Sequence, residues 1–279
     1  MRFLYSFLAG ISTLATISCT TLSPQTSSLL DESIVPKSKE VLGVQNLSKD
    51  DGDCGPAALA MVLNWSGRNI PISELKPKMY TPLRNGSLPS DMISTARNYG
   101  MVAVEVSSMT GIVKELGGGY PVIALLNMGF SWFPIWHYVA IVGYDLDDQN
   151  FKLFTGKEAM ESMPLSHFER HWSFSKFWAL VVLPPDRLAY SAGELAHMQA
   201  ASGLESLGHL SAAKKAYQTI LKKWPNSFTA HFGMGNIAYQ EEEYTLAEGF
   251  LKKAVALNPA SKAAKNNLSI VKEELQSAK

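Results

Sequence analysis

Asp53-Cys54-Gly55-Pro56-Ala57-Ala58-Leu59-Ala60-Met61-Val62-Leu63 is the stretch around which the fold can be read. Leu59, Val62 and Leu63 stand at i, i+3 and i+4, one face of an α-helix. Pro56 suits the first helical turn, where its missing N–H has no intrahelical use. Cys54 therefore sits at a helix N-terminus. The partial positive charge and free N–H groups there favour a thiolate over a thiol. A small buried side chain at a helix start is the other common use of cysteine, so position alone does not decide.

The remainder of the chain bears on that choice. Its 279 residues have room for about two domains. The 25 basic and 25 acidic residues cancel, which gives no reason to expect nucleic acid or a polybasic membrane patch. There are two cysteines. The first, Cys19, belongs to a targeting segment. Arg2 precedes an apolar run from Phe3 to Ile17, a basic n-region followed by an h-region. As a helix that run reaches roughly 22 Å, short of a ~30 Å hydrocarbon core. Thr16-Ile17-Ser18-Cys19 resembles the bacterial lipobox, with Thr where Leu is usual. The expectation is a lipoprotein signal peptide over 1–19 and lipidation of Cys19. Thr20 follows the cysteine, not the Asp of an inner-membrane retention signal. That implies an outer-membrane anchor, with the protein facing the periplasm of a bacterial cell envelope. Lipidation would leave Cys54 with no intrachain disulfide partner. Residues 20–40 are rich in Ser, Thr and Pro without periodicity and read as a flexible tether.

Residues 41–186 carry the chemistry. After the Cys54 helix, Gly67 marks a helix stop. Ser73–Lys76 reads as a short helix capped by Ser73, and Pro89–Asn98 as a longer one. Residues 101–106, 121–126, 137–144, 151–154 and 177–183 read as strands. The arrangement is α+β: an N-terminal helix carrying the cysteine, then an antiparallel sheet. His137 opens the third of these strands and is the residue to pair with Cys54. A base within ~3 Å converts a thiol to a thiolate able to attack a carbonyl carbon. Ser131–Trp136, just before it, form either an aromatic substrate rim or a cover for the sheet. His167 and His171 flank Glu169 at helical spacing, but with no third ligand nearby they read as a solvated helix face, and no metal is expected.

Cys54-Gly55-Pro56-Ala57-Ala58-Leu59, Gly86-Ser87-Leu88-Pro89-Ser90-Asp91, Tyr99-Gly100, Tyr120-Pro121-Val122-Ile123, and His137-Tyr138-Val139 with Gly143-Tyr144-Asp145 occur in that order. Together they resemble the papain-like cysteine peptidases of the bacteriocin-processing, double-glycine leader type. The branch they look closest to consists of secreted or lipid-anchored proteins in which this domain precedes tetratricopeptide repeats. The resemblance implies a papain-like fold, Cys54 as nucleophile and His137 as general base. Two positions depart from the family. Where it places a Gln five or six residues before the cysteine, this chain has Lys49 and Ser48. The oxyanion donor is then Lys49, or Gln45 brought in by a loop. Where the family has Asp-Pro after the strand following the His, this chain has Thr155-Gly156. Thr155 is the expected orienting residue, able to accept a hydrogen bond from the imidazole but carrying no charge.

Beyond Pro184-Pro185 a self-comparison at a shift of 34 residues succeeds. His197 matches His231, Ala213 matches Ala247 and Pro225 matches Pro259. The period resembles tetratricopeptide repeats, with units at 194–227 and 228–261 and a capping helix over 262–277 inside an all-α domain, 187–279. Two units are fewer than usually stand alone, so they are expected to lean on the first domain.

The sequence reading is thus a lipid-anchored cysteine peptidase acting on an envelope peptide or protein. Its repeats would dock a protein partner, and it needs no cofactor. The alternative is an adaptor that binds peptides in the same cleft without cutting them. An acyl transferase would use the same thiol and differ only in what resolves the intermediate.

Overall fold

A computed structural model describes residues 24–33, 36–47, 53–81, 86–157 and 159–277. The signal segment, Cys19 and Lys49 lie outside the described residues. Helix α1 (Pro24–Asp31) and strand β1 (Ser38–Glu40) precede the cysteine helix α2 (Cys54–Trp65). Then come α3 (Ile72–Met79), the two-residue strands β2 (Tyr80–Thr81) and β3 (Gly86–Ser87), and α4 (Pro89–Asn98). Next are β4 (Val102–Val106), α5 (Met109–Gly117), β5 (Val122–Asn127) and β6 (Trp136–Asp145). β7 (Asn150–Phe154), β8 (Glu161–Pro164), α6 (Leu165–Ser173) and β9 (Ala179–Leu183) follow. The helices α7 (Glu194–Ser206), α8 (Leu210–Lys223), α9 (Phe228–Gln240), α10 (Tyr244–Leu257) and α11 (Lys262–Ser277) complete the described chain.

The main sheet has seven antiparallel strands in the order β4-β9-β5-β6-β7-β8, with β1 added on β6. Both faces are covered, and the period-2 alternation of the strands assigns each side chain to one of them. Ala103, Ile123, Leu125, Tyr138, Leu180 and Val182 pack with residues of α2, α3 and α4. Val104, Val122, Leu126, Val139, Ile141 and Val181 point the other way, into a core shared with α1, α5 and α6. α2 is buried along nine consecutive residues, Gly55 to Leu63, because it is sunk between the sheet and the neighbouring helices. A helix set this deep holds its first residue in a fixed place.

Three sequence expectations change. β8 pairs with β7 and was not among the expected strands. Its four residues, Glu-Ser-Met-Pro, are half-buried or exposed and carry no apolar alternation. α3 begins one residue earlier than expected, with Pro71 in place of Ser73 at the cap. The flexible tether over 20–40 does not describe residues 24–31 or 38–40. The carboxylate of Glu169, 3% exposed, accepts from the N–H groups of Gln25 (3.0 Å) and Thr26 (2.7 Å) and from Thr26 Oγ1 (2.7 Å). Those amides belong to the first turn of α1, which has no intrahelical acceptor for them. Leu29 is fully buried, and Ser38 pairs with Asp145. The acceptor lies about 140 residues away in sequence, so local composition could not reveal the helix.

The repeats lean on the sheet as expected. One continuous core runs from the strands into Ala200, Leu204, Ala213, Tyr217, Met234 and Ile237 of α7–α9. His197 fixes the junction: its Nδ1–H donates to Gly193 O (2.8 Å), and its Nε2 accepts from the Ala189 N–H (2.9 Å). A second cluster, formed by Ala238, Ala247, Leu251 and Val271, joins α9, α10 and α11. Gly235 permits the close approach of α9 and α10, since a Cβ there would lie 2.7 Å from Leu251 Cγ.

Candidate active site

Cys54 is the first residue of α2 and is half-buried. Asp53 precedes it, with a side chain only 7% exposed, and Lys76 Nζ lies 2.9 Å from both carboxylate oxygens. A buried carboxylate at a helix N-terminus is favoured by the helix dipole but opposes a thiolate next to it. Lys76 on α3 offsets that charge. The Asp53 carbonyl also accepts the Ala57 N–H at 2.8 Å, closing the first turn.

His137 is the second residue of β6 and lies opposite Leu126 of β5. Its Nε2 is 2.9 Å from the backbone oxygen of Thr155. A carbonyl only accepts, so Nε2 carries the proton, and the lone pair of the neutral ring is on Nδ1. Thr155, 8% exposed, lines a narrow gap together with Cys54, Ala58, Met61, Tyr138 and Phe154. The thiol and the residue that holds the imidazole therefore face one space.

Thr155 does not play its expected part with its side chain. Its backbone carbonyl meets the imidazole, while Oγ1 turns away and donates to Glu161 Oε1 at 3.0 Å. Chain direction at the end of β7 puts the carbonyl toward β6 and the hydroxyl toward β8. Of the two expected oxyanion donors, Gln45 is exposed and Lys49 falls outside the described residues.

A larger cleft of about 650 Å³ is also lined by Cys54. Ser87, Leu88, Leu125, Phe133, Ile135 and Trp136 are among the residues that line it. Of residues 131–136, Phe133 to Trp136 line this cleft as a rim, and the loop is exposed, Trp132 by 80% and Phe133 by 63%. The loop is held from below by Asn127, 1% exposed. Its Oδ1 accepts from the Gly129 and Ile135 N–H groups, each at 2.9 Å, and its Nδ2 donates to Phe130 O at 3.2 Å. Phe130 stacks on Trp132 with ring centres 5.5 Å apart. At the cleft floor the Tyr138 hydroxyl donates to Ser87 O at 3.2 Å. Burial, with Cys54 and Asp91 nearby, pushes the Tyr138 hydroxyl well above its ordinary range, so it stays protonated. Gly55 is needed here because a Cβ would lie 2.7 Å from Ser87 Oγ.

The His167 and His171 rings stack 4.6 Å apart, and His171 Nδ1 donates to Asn127 O at 2.5 Å. Glu169 is committed to α1. Among the described residues no group of three His, Cys, Asp or Glu side chains is placed to hold a metal ion.

Sequence reasoning missed Lys76, Ser87 and Glu161. Ser87 lay inside a quoted motif block, and Asp53, the partner of Lys76, was adjacent to the thiol. Glu161 had no local signal, because the β7–β8 pairing brings it in.

Residues 41–178 match the model of the Peptidase_C39 like family, and residues 198–262 match a tetratricopeptide repeat model. No curated protein matches the chain. Among solved structures, the peptidase domain of Streptococcus ComA, a bi-functional ABC transporter involved in quorum sensing, is similar at 20% identity and TM-score 0.41. The match covers 52% of this chain and 98% of that one. A double glycine motif protease from an AMS/PCAT transporter, in complex with the leader peptide, is similar at 20% identity and TM-score 0.39. That match covers 52% of this chain and 96% of the other. The chain thus joins a Peptidase_C39-like domain, a papain-like fold of helices and antiparallel sheet, to a C-terminal helical region of tetratricopeptide repeats.

Proposed function

We propose that this protein is a cysteine peptidase acting on a peptide or protein in the bacterial cell envelope. The observation that carries the reading is the gap shared by Cys54 and Thr155, whose carbonyl holds Nε2–H of His137. With Nδ1 as the basic nitrogen, the ring accepts the thiol proton and the Cys54 thiolate attacks the substrate carbonyl carbon. The developing oxyanion forms at the N-terminus of α2, whose partial positive charge stabilises it. The C–N bond breaks as the imidazolium gives its proton to the leaving amine. Water, deprotonated by the same imidazole, then hydrolyses the thioester and frees the thiol. The polypeptide enters along the cleft bounded by Phe133 and Trp136, and the repeats dock a protein partner.

A second reading, a peptide-binding adaptor, is favoured by one feature. The Glu161 carboxylate is linked to the imidazole through Thr155, whose Oγ1 it accepts from and whose carbonyl holds the ring. An electrophilic peptide probe separates the two. Labelling at Cys54 that disappears in His137→Ala at neutral pH is the expected result. Equal labelling of both proteins would overturn the peptidase reading.

We also propose that Cys19 is lipidated and anchors the protein to the outer membrane, facing the periplasm. Supporting this are the Arg2 n-region, the apolar run and the Thr16–Cys19 lipobox. Globomycin-sensitive processing and loss of membrane partitioning in Cys19→Ala are expected. Unchanged partitioning would refute the anchor.

A further inference from the structure

The papain-like resemblance requires a side chain that orients the imidazole, and Thr155-Gly156 stand where the family has Asp-Pro. A neutral carbonyl can fix the ring, yet it carries no charge to offset an imidazolium. A source of such charge comes from another strand. β7 and β8 pair with Leu153 opposite Glu161, which sets Glu161 beside the end of β7. There Glu161 Oε1 accepts from Thr155 Oγ1 at 3.0 Å, and the Thr155 carbonyl accepts from His137 Nε2 at 2.9 Å.

We propose that Glu161 is a positioning residue, supplying through Thr155 the negative charge that orients His137 and stabilises its protonated form. The inference rests on the cysteine-peptidase reading and extends it to a residue outside the family's motif.

Glu161 is suited to the role because it is held as a carboxylate. Lys157 Nζ, 2.8 Å from Oε1, is the largest influence drawing its carboxyl below the ordinary range. The Thr155 hydroxyl and the positive charge of His137 act in the same direction. Burial acts against them. Since His137 favours the Glu161 anion, reciprocity requires that the anion favour the His137 cation. Lys157 is 74% exposed, so solvent screens it more than the Thr155–Glu161 contact, and it tempers the effect without cancelling it. Among the described residues, the other titratable groups on elements packed against β6 are Lys39 and Glu40 of β1, Cys54 of α2 with Asp53 just before it, Lys114 and Glu115 of α5, and Lys152 of β7; Asp53 is paired with Lys76 and Glu40 with Lys152.

Glu161 and its ion-pair partner Lys157 make opposite predictions. In the full chain carrying Cys54→Ala, the His137 ring is titrated by NMR, its signals assigned by their loss in His137→Ala. Glu161→Gln is expected to lower the midpoint by about half a pH unit, and Lys157→Met to raise it by a smaller amount. Thr155→Val keeps the carbonyl but releases Glu161, and is expected to lower the midpoint as well. A purely structural role for Glu161 would not give shifts of opposite sign. Midpoints unmoved in Glu161→Gln and Lys157→Met would overturn the proposal. Should either variant unfold, the other still decides. The peptide-probe experiment is independent. Probe labelling that needs His137, with no titration shift, sinks only the role of Glu161. Titration shifts without His137-dependent labelling sink only the peptidase reading.

Discussion

His137 donates from Nε2 to the backbone carbonyl of Thr155 at 2.9 Å, while the Thr155 hydroxyl is engaged by Glu161. The imidazole is therefore fixed by the path of β7, and the identity of the side chain at position 155 acts one step removed. The same bond settles which ring nitrogen is basic, a detail on which any thiol–imidazole chemistry depends.

Thr155→Val should accordingly be milder than loss of the ring. It preserves the carbonyl, so labelling of Cys54 by a peptide electrophile is expected to fall by less than about tenfold. Removing a general base costs ~10²–10⁴-fold. Rates of labelling for Thr155→Val and His137→Ala, measured side by side, check the difference. Equal losses would mean that the hydroxyl itself holds the ring.

Gly55 and Ser87 form a coupled pair. A methyl at residue 55 would lie 2.7 Å from Ser87 Oγ and 2.9 Å from its Cβ. Gly55→Ala is expected to destabilise the chain by about 1–3 kcal/mol, the usual cost of overpacking. Adding Ser87→Gly should return most of that. Urea midpoints for the two single variants and the double variant form a cycle whose interaction energy is expected to be well away from zero.

Asn127 governs the aromatic rim. Asn127→Ala would leave the Gly129 and Ile135 amides without their acceptor, at a cost of about 1–3 kcal/mol. Local order would suffer before global stability does. Faster hydrogen exchange confined to residues 128–136 is the expected signature, with Cys54 labelling by small iodoacetamide unchanged and labelling by the peptide probe reduced. Unaltered exchange in this loop would refute the assignment.

His197 makes the junction between domains sensitive to acid. Burial is the main influence that lowers its pKa below 6.5, and its Nε2 must stay unprotonated to accept from Ala189 N–H. A group with a depressed folded pKa binds its proton more readily in the unfolded chain. The stabilisation is complete above about pH 6.5 and is lost as pH falls from there toward the folded value. A decline in stability between pH 7 and pH 5 is expected. Urea titrations across that range should show a flatter profile in His197→Gln.

Much of this protein was legible in the sequence because the signals were local. The i, i+3, i+4 spacing of Leu59, Val62 and Leu63 marked α2. β-Branched alternation marked the strand at Val102–Val106, and a 34-residue period marked the helices after Glu194. Cys54 at a helix start and His137 at a strand mouth could be paired from the ordered motif blocks. What the sequence could not determine depended on contacts between distant segments. α1 forms where composition read as a tether, since its first-turn amides find the Glu169 carboxylate about 140 residues away. Thr155 holds His137 through a carbonyl that every residue possesses, so its side chain gave no clue to the bond. Glu161 and Lys76 reach the site only through strand register and helix packing. Periodicity records which face of an element is buried. Which polar groups then meet across the fold is decided by tertiary geometry, because hydrogen bonds and ion pairs act over a few ångströms in space and are indifferent to separation along the chain.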